Sequence, residues 1–321
     1  MITVNAFTDG QGMRDNLPLA EISDVLGHGC KLLWVDVVSP SAEDLQRIGE
    51  EFGFHPLALE DAARPHQRPK LDQYEGFFFL VFYGLTIEDG RPQTHEINLF
   101  VGQNYLVTVH DGSVAAIPET AERWRRNVEQ VGNRGIGLLV YSLLDALVDG
   151  YFPVVDVLAE RIDDLEAAIF ERRDPRAQEA IFGLKKDLLA VRRIMAPERD
   201  VMNILVRRES PIFDDVQIVY FQDVYDHILR VTDALDTYRD LLSSALDASL
   251  SVTSNRLSQV MKTLTASSII LMSMTLVASI YGMNFDHMPE LHWLLGYPWA
   301  LGLMTAIGVS VFAVFRRIDW L

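Results

Sequence analysis

Asp223, Asp226, Arg230, Asp233, Thr237, Asp240, Ser244, Asp247, Ser251, Ser254, Ser258, Met261, Thr265, Ser268, Met272, Thr275, Ser279 and Gly282 follow one another at alternating steps of three and four residues. Such steps keep side chains on one face of a helix. Nearly every position is polar, small or methionine. A second register, Phe221, Val224, Ile228, Val231, Leu235, Tyr238, Leu242 and Ala245, is apolar. The stripe does not stop where the flanking sequence loses its charges. Polar groups on a spanning helix face a protein interior or a water-filled route, because lipid offers them no partners. Hydroxyls bonding back to their own helix, or small residues packing against a neighbour, would account for any one position. One register running from an acidic end to Gly282-Met283-Asn284 points instead to a path for ions.

The elements that must hold this stripe are legible. Thr263 to Phe285 is roughly 23 residues without a charge, and Leu291 to Phe315 is about as long, so each can cross a hydrocarbon core of about 30 Å. Asp286, His287, Met288, Pro289 and Glu290 leave room only for a tight loop. Arg256 and Lys262 precede the first span, and Arg316 and Arg317 close the second. Positive-inside logic places both termini in the cytoplasm and the Gly-Met-Asn turn outside, with Trp293, Tyr297 and Trp299 in the outer interfacial belt. No glycine or proline interrupts the chain between Asp214 and Gly282. The stalk and first span therefore read as one helix of about 100 Å at 1.5 Å per residue. Heptad spacing over that length demands a supercoil. One such helix cannot enclose a route, so the protomers must form a ring.

Composition agrees. At 321 residues, 23% charged and a mean hydropathy of +0.11, the chain is a soluble domain with a membrane appendix. The net charge of −17 argues against nucleic acid and against peripheral contact with anionic lipid, and localised acids would attract cations. Cys30 is the single cysteine, which excludes an intrachain disulfide and suits a reducing compartment. The N-terminus lacks the basic and apolar segments of a cleavable signal peptide.

Before the stalk, residues 1 to about 130 read as α/β. Lys31 to Val37 predicts a strand, and Ser39 to Asp44 supplies cap chemistry for a helix near Leu45. Phe77 to Leu85 and Glu96 to His110 predict antiparallel strands around a turn at Glu88 to Pro92. Helical periods then take over, in blocks from Leu138 to Arg172 and from Arg176 to Arg208. Pro197 predicts a kink or break in the second.

Tyr281-Gly282-Met283-Asn284-Phe285, followed by Met288-Pro289-Glu290-Leu291 and Gly296-Tyr297-Pro298, resembles the signature of CorA magnesium channels. Phe54-His55-Pro56-Leu57, Leu59-Glu60-Asp61, His66 to Lys70 and Tyr141 to Leu147 are similar to that family's cytoplasmic domain. Phe221 to His227 resembles its stalk, and Arg316 to Leu321 its basic-aromatic ending. The resemblance implies an α+β cytoplasmic domain, a long stalk helix continuing into a two-helix transmembrane hairpin, and a homopentameric funnel. The segments would be a cytoplasmic α/β domain (1–135), a helical hairpin (136–212), the stalk and pore-lining span (213–285), an external loop (286–292) and the second span with a basic tail (293–321). Pentamer, lipid bilayer and divalent metal ions are the partners implied, in a cell inner membrane, with Mg2+ both transported and regulatory.

Magnesium sheds water reluctantly, so an entrance built for it would bind the hydrated ion through neutral oxygens. The amide carbonyl of Asn284 suits first-shell waters, with Gly282 and Met283 completing the entrance and Gly282 permitting a backbone turn. Asn284 capping the helix end is the plainer role, and it leaves the surrounding match unexplained. Ser258, Thr265, Ser268, Thr275 and Ser279 would line the pore, Met261 and Met272 would form constrictions, and Asp240 and Asp247 would make acidic rings. The resemblance also implies regulatory magnesium between Asp61 and Asp223 of adjacent subunits, with Glu60 and Asp145 as companions. A zinc-transporting branch of the superfamily usually carries isoleucine where this chain has Met283. Cobalt and nickel stay open as further cargo.

Two other classes match the residues less closely. Enzyme chemistry finds no support: His95-Glu96 lacks a second zinc-ligand histidine, Cys30 and His28 are too close in sequence for a dyad, and no phosphate loop is present. A two-span receptor or scaffold would need the helix and the hairpin but no polar stripe across the bilayer.

Overall fold

The computed structural model describes residues 1–8, 12–112, 114–128, 132, 134–169, 176–207, 212–284 and 288–320. Phe285, Asp286, His287 and Leu321 of the expected loop and tail lie outside the described residues, as do Arg172 to Pro175 and Arg208 to Pro211 at the expected helix ends. The chain divides into two compact units, Met1–Ser244 and Ala245–Leu321.

The first unit is built on a seven-stranded sheet. Its strands are β1 (Ile2–Thr8), β2 (Gly12–Arg14), β3 (Cys30–Val38), β4 (Lys70–Tyr74), β5 (Phe77–Glu88), β6 (Arg91–Val101) and β7 (Tyr105–His110), in spatial order β2-β1-β3-β7-β6-β5-β4. The β3–β7 pair is parallel and the others are antiparallel. β3, β5, β6 and β7 supply the sheet's part of the buried core, with Trp34, Phe79, Phe82 and Phe100 almost fully enclosed. The β5–β6 hairpin turns on Asp89 (φ 50°) and Gly90 (φ 72°), the left-handed pair a two-residue hairpin needs. The single strand expected over Glu96 to His110 is two: the chain reverses at 102–104, so β6 and β7 pair with each other as a second hairpin.

Helices α1 (Ile22–Gly27), α2 (Ala42–Phe52), α3 (Pro56–Ala63) and α4 (Ala116–Arg126) surround the sheet. α2 begins where its cap chemistry predicts: Ser41 Oγ accepts from Asp44 N and Asp44 Oδ2 accepts from Ser41 N. Pro56 opens α3, and the His55 ring accepts from Leu57 N at 3.2 Å. The first long helical block is divided at Gly150 into α5 (Ile136–Asp149) and α6 (Tyr151–Ala167). By length and composition 136–167 could cross a membrane, yet half of its apolar window is buried in this unit, so it is a core element. α7 (Ala177–Arg207) continues through Pro197, where a kink or break was expected, and is not broken there.

α8 (Asp215–Tyr281) is 67 residues of uninterrupted helix. Its apolar register is buried in the first unit: Phe221, Val224, Ile228, Val231, Leu235 and Leu242 are at most 2% exposed. In the second unit the remainder of α8 is followed by α9 (Gly296–Arg317). Both are long and apolar enough to span a bilayer, with only 11% and 6% of their apolar windows buried.

Candidate ion path and metal sites

Every position of the polar stripe, from Asp223 to Gly282, is exposed. The buried positions of the α8 span lie elsewhere. Ala266 and Val277 are buried, and Met274 meets α9 where a Cβ added to Gly308 would come within 3.4 Å of its Sδ. Two residues along a helix are roughly 200° around its axis. Val277 is therefore nearly opposite Thr275, and Ala266 is opposite Ser268. The second span covers the back of the stripe and leaves its front open.

The hydroxyls of the span are satisfied within the helix. Ser268 Oγ donates to Leu264 O at 2.9 Å and Thr275 Oγ1 to Leu271 O at 2.8 Å. Ser267 and Ser273 bond back in the same way. Met261 and Met272 are exposed by 54% and 69%, and Ser258, Thr265, Ser279 and Asp247 are exposed beside them.

At the end of the stripe, Gly282 N donates to Ala278 O at 3.0 Å and Met283 N to Ile280 O at 3.3 Å, closing the helix. Asn284 follows, exposed. Gly282 was expected to permit a turn through its conformational freedom, but its φ is not left-handed. Its missing Cβ has a different use, since one would stand 3.3 Å from Ala278 O.

In the first unit, α5 and α8 bring acids together. The ligand atoms of Asp145, Asp149 and His227 lie within 4.8 Å of one another. His227 Nδ1 is 4.0 Å from both Asp145 Oδ1 and Asp149 Oδ1, while its Nε2 is 3.9 Å from Asp223 Oδ1. These separations are too long for hydrogen bonds. Nδ1 is buried and unpartnered, between two carboxylates. Burial, with Asp149 and Asp223 nearby, raises the Asp145 carboxyl above its ordinary range even against His227. Burial and the same acids push the Tyr141 hydroxyl up to about 12. A group of crowded carboxylates with an orphaned buried nitrogen fits a cation, and the oxygens suit magnesium.

Asp145 and Asp223 are thus neighbours within one protomer. Asp61 and Glu60 are on α3 and are otherwise engaged: Asp61 with Lys70 at 2.6 Å and Glu60 with Arg64 at 2.8 Å. Asp149 and His227 were missed by sequence reasoning. Each stands four residues after a named acid, Asp145 and Asp223 respectively, and that helical spacing was the available signal.

A soluble α/β unit, a helix carrying a polar edge into an apolar span, and a second span behind it define a membrane ion-handling protein. A family model described as CorA-like Mg2+ transporter protein matches residues 30–317. The chain is 36% identical over 291 residues to the cobalt/magnesium transport protein CorA of Thermotoga maritima, covering 90% of this chain and 83% of that protein. It is 27% identical over 323 residues to the cobalt/magnesium transport protein CorA of Methanocaldococcus jannaschii, covering 100% of each. The complete structure of the CorA magnesium transporter from that archaeon matches with a TM-score of 0.85 at 25% identity, over 100% of this chain and 99% of that one. The chain belongs to the CorA family. Its members are transport proteins rather than enzymes, and Mg2+ is the ion they carry.

Proposed function

We propose that five copies of this chain form a magnesium channel in the inner membrane, with both termini in the cytoplasm. Hydrated Mg2+ enters at Gly282-Met283-Asn284 and passes along Ser279, Thr275, Met272, Ser268, Thr265, Met261 and Ser258 toward Asp247. The membrane potential drives it inward, at about 2.3 kcal/mol per charge per 100 mV. Co2+ and Ni2+ share its charge and are secondary cargo.

The observation that carries this reading is that the face of the span opposite its contact with α9 bears Ser268, Met272, Thr275 and Ser279, all exposed. A two-span receptor has no use for such an edge. The hydroxyls of Ser268 and Thr275 already donate to their own helix, so their outward lone pairs are free to accept hydrogen bonds from water around a cation. Oxygen acceptors at fixed positions replace bulk water without stripping the inner shell.

Regulation rests on the acids. Cytoplasmic magnesium bound between Asp61 of one subunit and Asp223 of the next, with Glu60 and Asp145 nearby, neutralises facing carboxylates and holds the ring closed. Asp149 and His227 extend that cluster. When magnesium falls, repulsion separates the subunits and the pore opens.

Full-length protein reconstituted in liposomes tests the reading. An imposed inside-negative potential should drive Mg2+ uptake, and Asn284→Ala should abolish it while the pentamer persists. Undiminished uptake by that variant would remove Asn284 from the entrance, and no uptake by the unaltered protein would remove the channel.

A further inference from the structure

The last pair that β4 contributes to the sheet is Lys70 with Val81. Tyr83 lies two residues further along β5. A strand residue points its N–H and C=O to the same side, so both groups of Tyr83 face the place where β4 would continue. Side chains take its place. Tyr83 N donates to Glu198 Oε1 at 2.8 Å, and Tyr83 O accepts from the Tyr151 hydroxyl at 2.5 Å. Glu198 Oε2 is 3.0 Å from that same hydroxyl. Glu198 and Tyr151 are both 0% exposed.

At a fully enclosed site, unlike half-buried Glu96, counting protons bears on the chemistry. The Tyr151 hydroxyl has one proton, and a carbonyl oxygen has none to give. An approach of 2.5 Å between Tyr151 and Tyr83 O therefore places that proton between them. The Tyr151 oxygen then turns a lone pair toward Glu198 Oε2. Two bare oxygens facing each other at 3.0 Å repel unless one bears hydrogen. We infer that Glu198 is held as a neutral carboxylic acid, and that its proton closes a ring of hydrogen bonds standing in for the strand that β4 does not supply. The acid offers one acceptor and one donor, the pattern of a peptide unit.

The surroundings agree. Burial raises the Glu198 carboxyl well above its ordinary range, and the bond from Tyr83 N opposes that rise with no cation to help it. The titratable groups on the packed elements are committed elsewhere. Lys70 on β4 pairs with Asp61 and Asp72, His95 on β6 contacts Thr86, Glu96 meets the Tyr83 hydroxyl, and Arg161 on α6 pairs with Asp187.

The ring also has a downstream attachment. The Tyr83 hydroxyl donates to Gln67 O at 2.5 Å and approaches Glu96 Oε2, which accepts from the N–H groups of His66 and Gln67. The chain leaving α3 is thereby fastened to the residue that the Glu198 proton fixes. Glu198 is a proton latch on the strand to which the chain leaving α3 is fastened.

Infrared difference spectroscopy of the full-length protein in detergent at neutral pH, unaltered minus Glu198→Gln, tests this. The expected result is loss of one carboxylic-acid carbonyl band with no loss of carboxylate intensity. Loss of a carboxylate band instead would overturn the assignment. Should the glutamine variant not fold, Tyr151→Phe carries the test. Removing the acceptor must shift the acid band to higher frequency, and an unshifted spectrum refutes the ring.

Discussion

Lys70 Nζ lies 2.6 Å from Asp61 Oδ2, so this acid holds a cation of the protein's own. The regulatory magnesium proposed at Asp61 would have to displace or share it. Lys70→Gln should therefore close the channel at lower magnesium. A partly exposed pair of this kind is worth at most about 1 kcal/mol, or roughly fivefold in binding. The concentration of magnesium that halves flux in liposomes is the measurement. A rise in that concentration would show that Lys70 assists the site.

Thr275 and Ser273 make the same bond to their own helix but differ in placement. Thr275 is on the open edge, whereas Ser273 is half-buried on the side toward α9. Thr275→Val should lower magnesium flux by roughly tenfold, the rate equivalent of one hydrogen bond lost at a barrier. Ser273→Ala should leave it nearly unchanged. Equal effects in the two variants would mean that the edge does not face the ions.

Gly308 adjoins Met274, while nothing lies within 4 Å of a Cβ placed on Gly302. Gly308→Leu should overpack the pair of spans and cost about 1–3 kcal/mol, read as a lower melting temperature in detergent. Gly302→Leu is the matched control and should melt with the unaltered protein.

Glu198 gives the pH dependence of the first unit a definite sign. Burial sets its folded pKa above the unfolded value, so between the two the folded chain holds more protons. Stability contributed by the neutral acid is present below the unfolded value, about 4.3, and falls as pH rises toward the folded one. Glu198→Gln keeps the donor and acceptor but cannot ionise. Its melting temperature should decline less than that of the unaltered protein between mildly acidic and mildly alkaline pH. Parallel curves would contradict a titrating Glu198.

Much of this was open to reading along the chain. The stripe and the apolar register beside it are statements about helical period, and α8 carries the first as far as Ser279 and the second as far as Ala245. Ser41 and Asp44 announced the start of α2 because a cap is a local bond. What escaped notice was set by distant contacts. β6 and β7 looked like one strand because the apolar run hardly falters at Gly102, and the reversal shows only in the pairing of Val101 with Leu106. α5 and α6 looked continuous because Gly150 is tolerated by helical period. Nothing along its own helix marks Glu198, since its burial depends on Tyr83 and Tyr151, more than forty residues away in sequence. His227 was passed over because its meaning comes from α5, not from its own helix.

The inward-turned hydroxyls of the first span have one more consequence. With their hydrogens spent on Leu264 and Leu271, Ser268 and Thr275 present only negative oxygen density outward. A chloride ion arriving there meets no donor, whereas any cation meets acceptors. On the proposed path, discrimination by sign of charge would thus follow from the backbone bonding of a helix that bears no formal charge between Thr263 and Tyr281, and salt that screens surface acids would leave it intact.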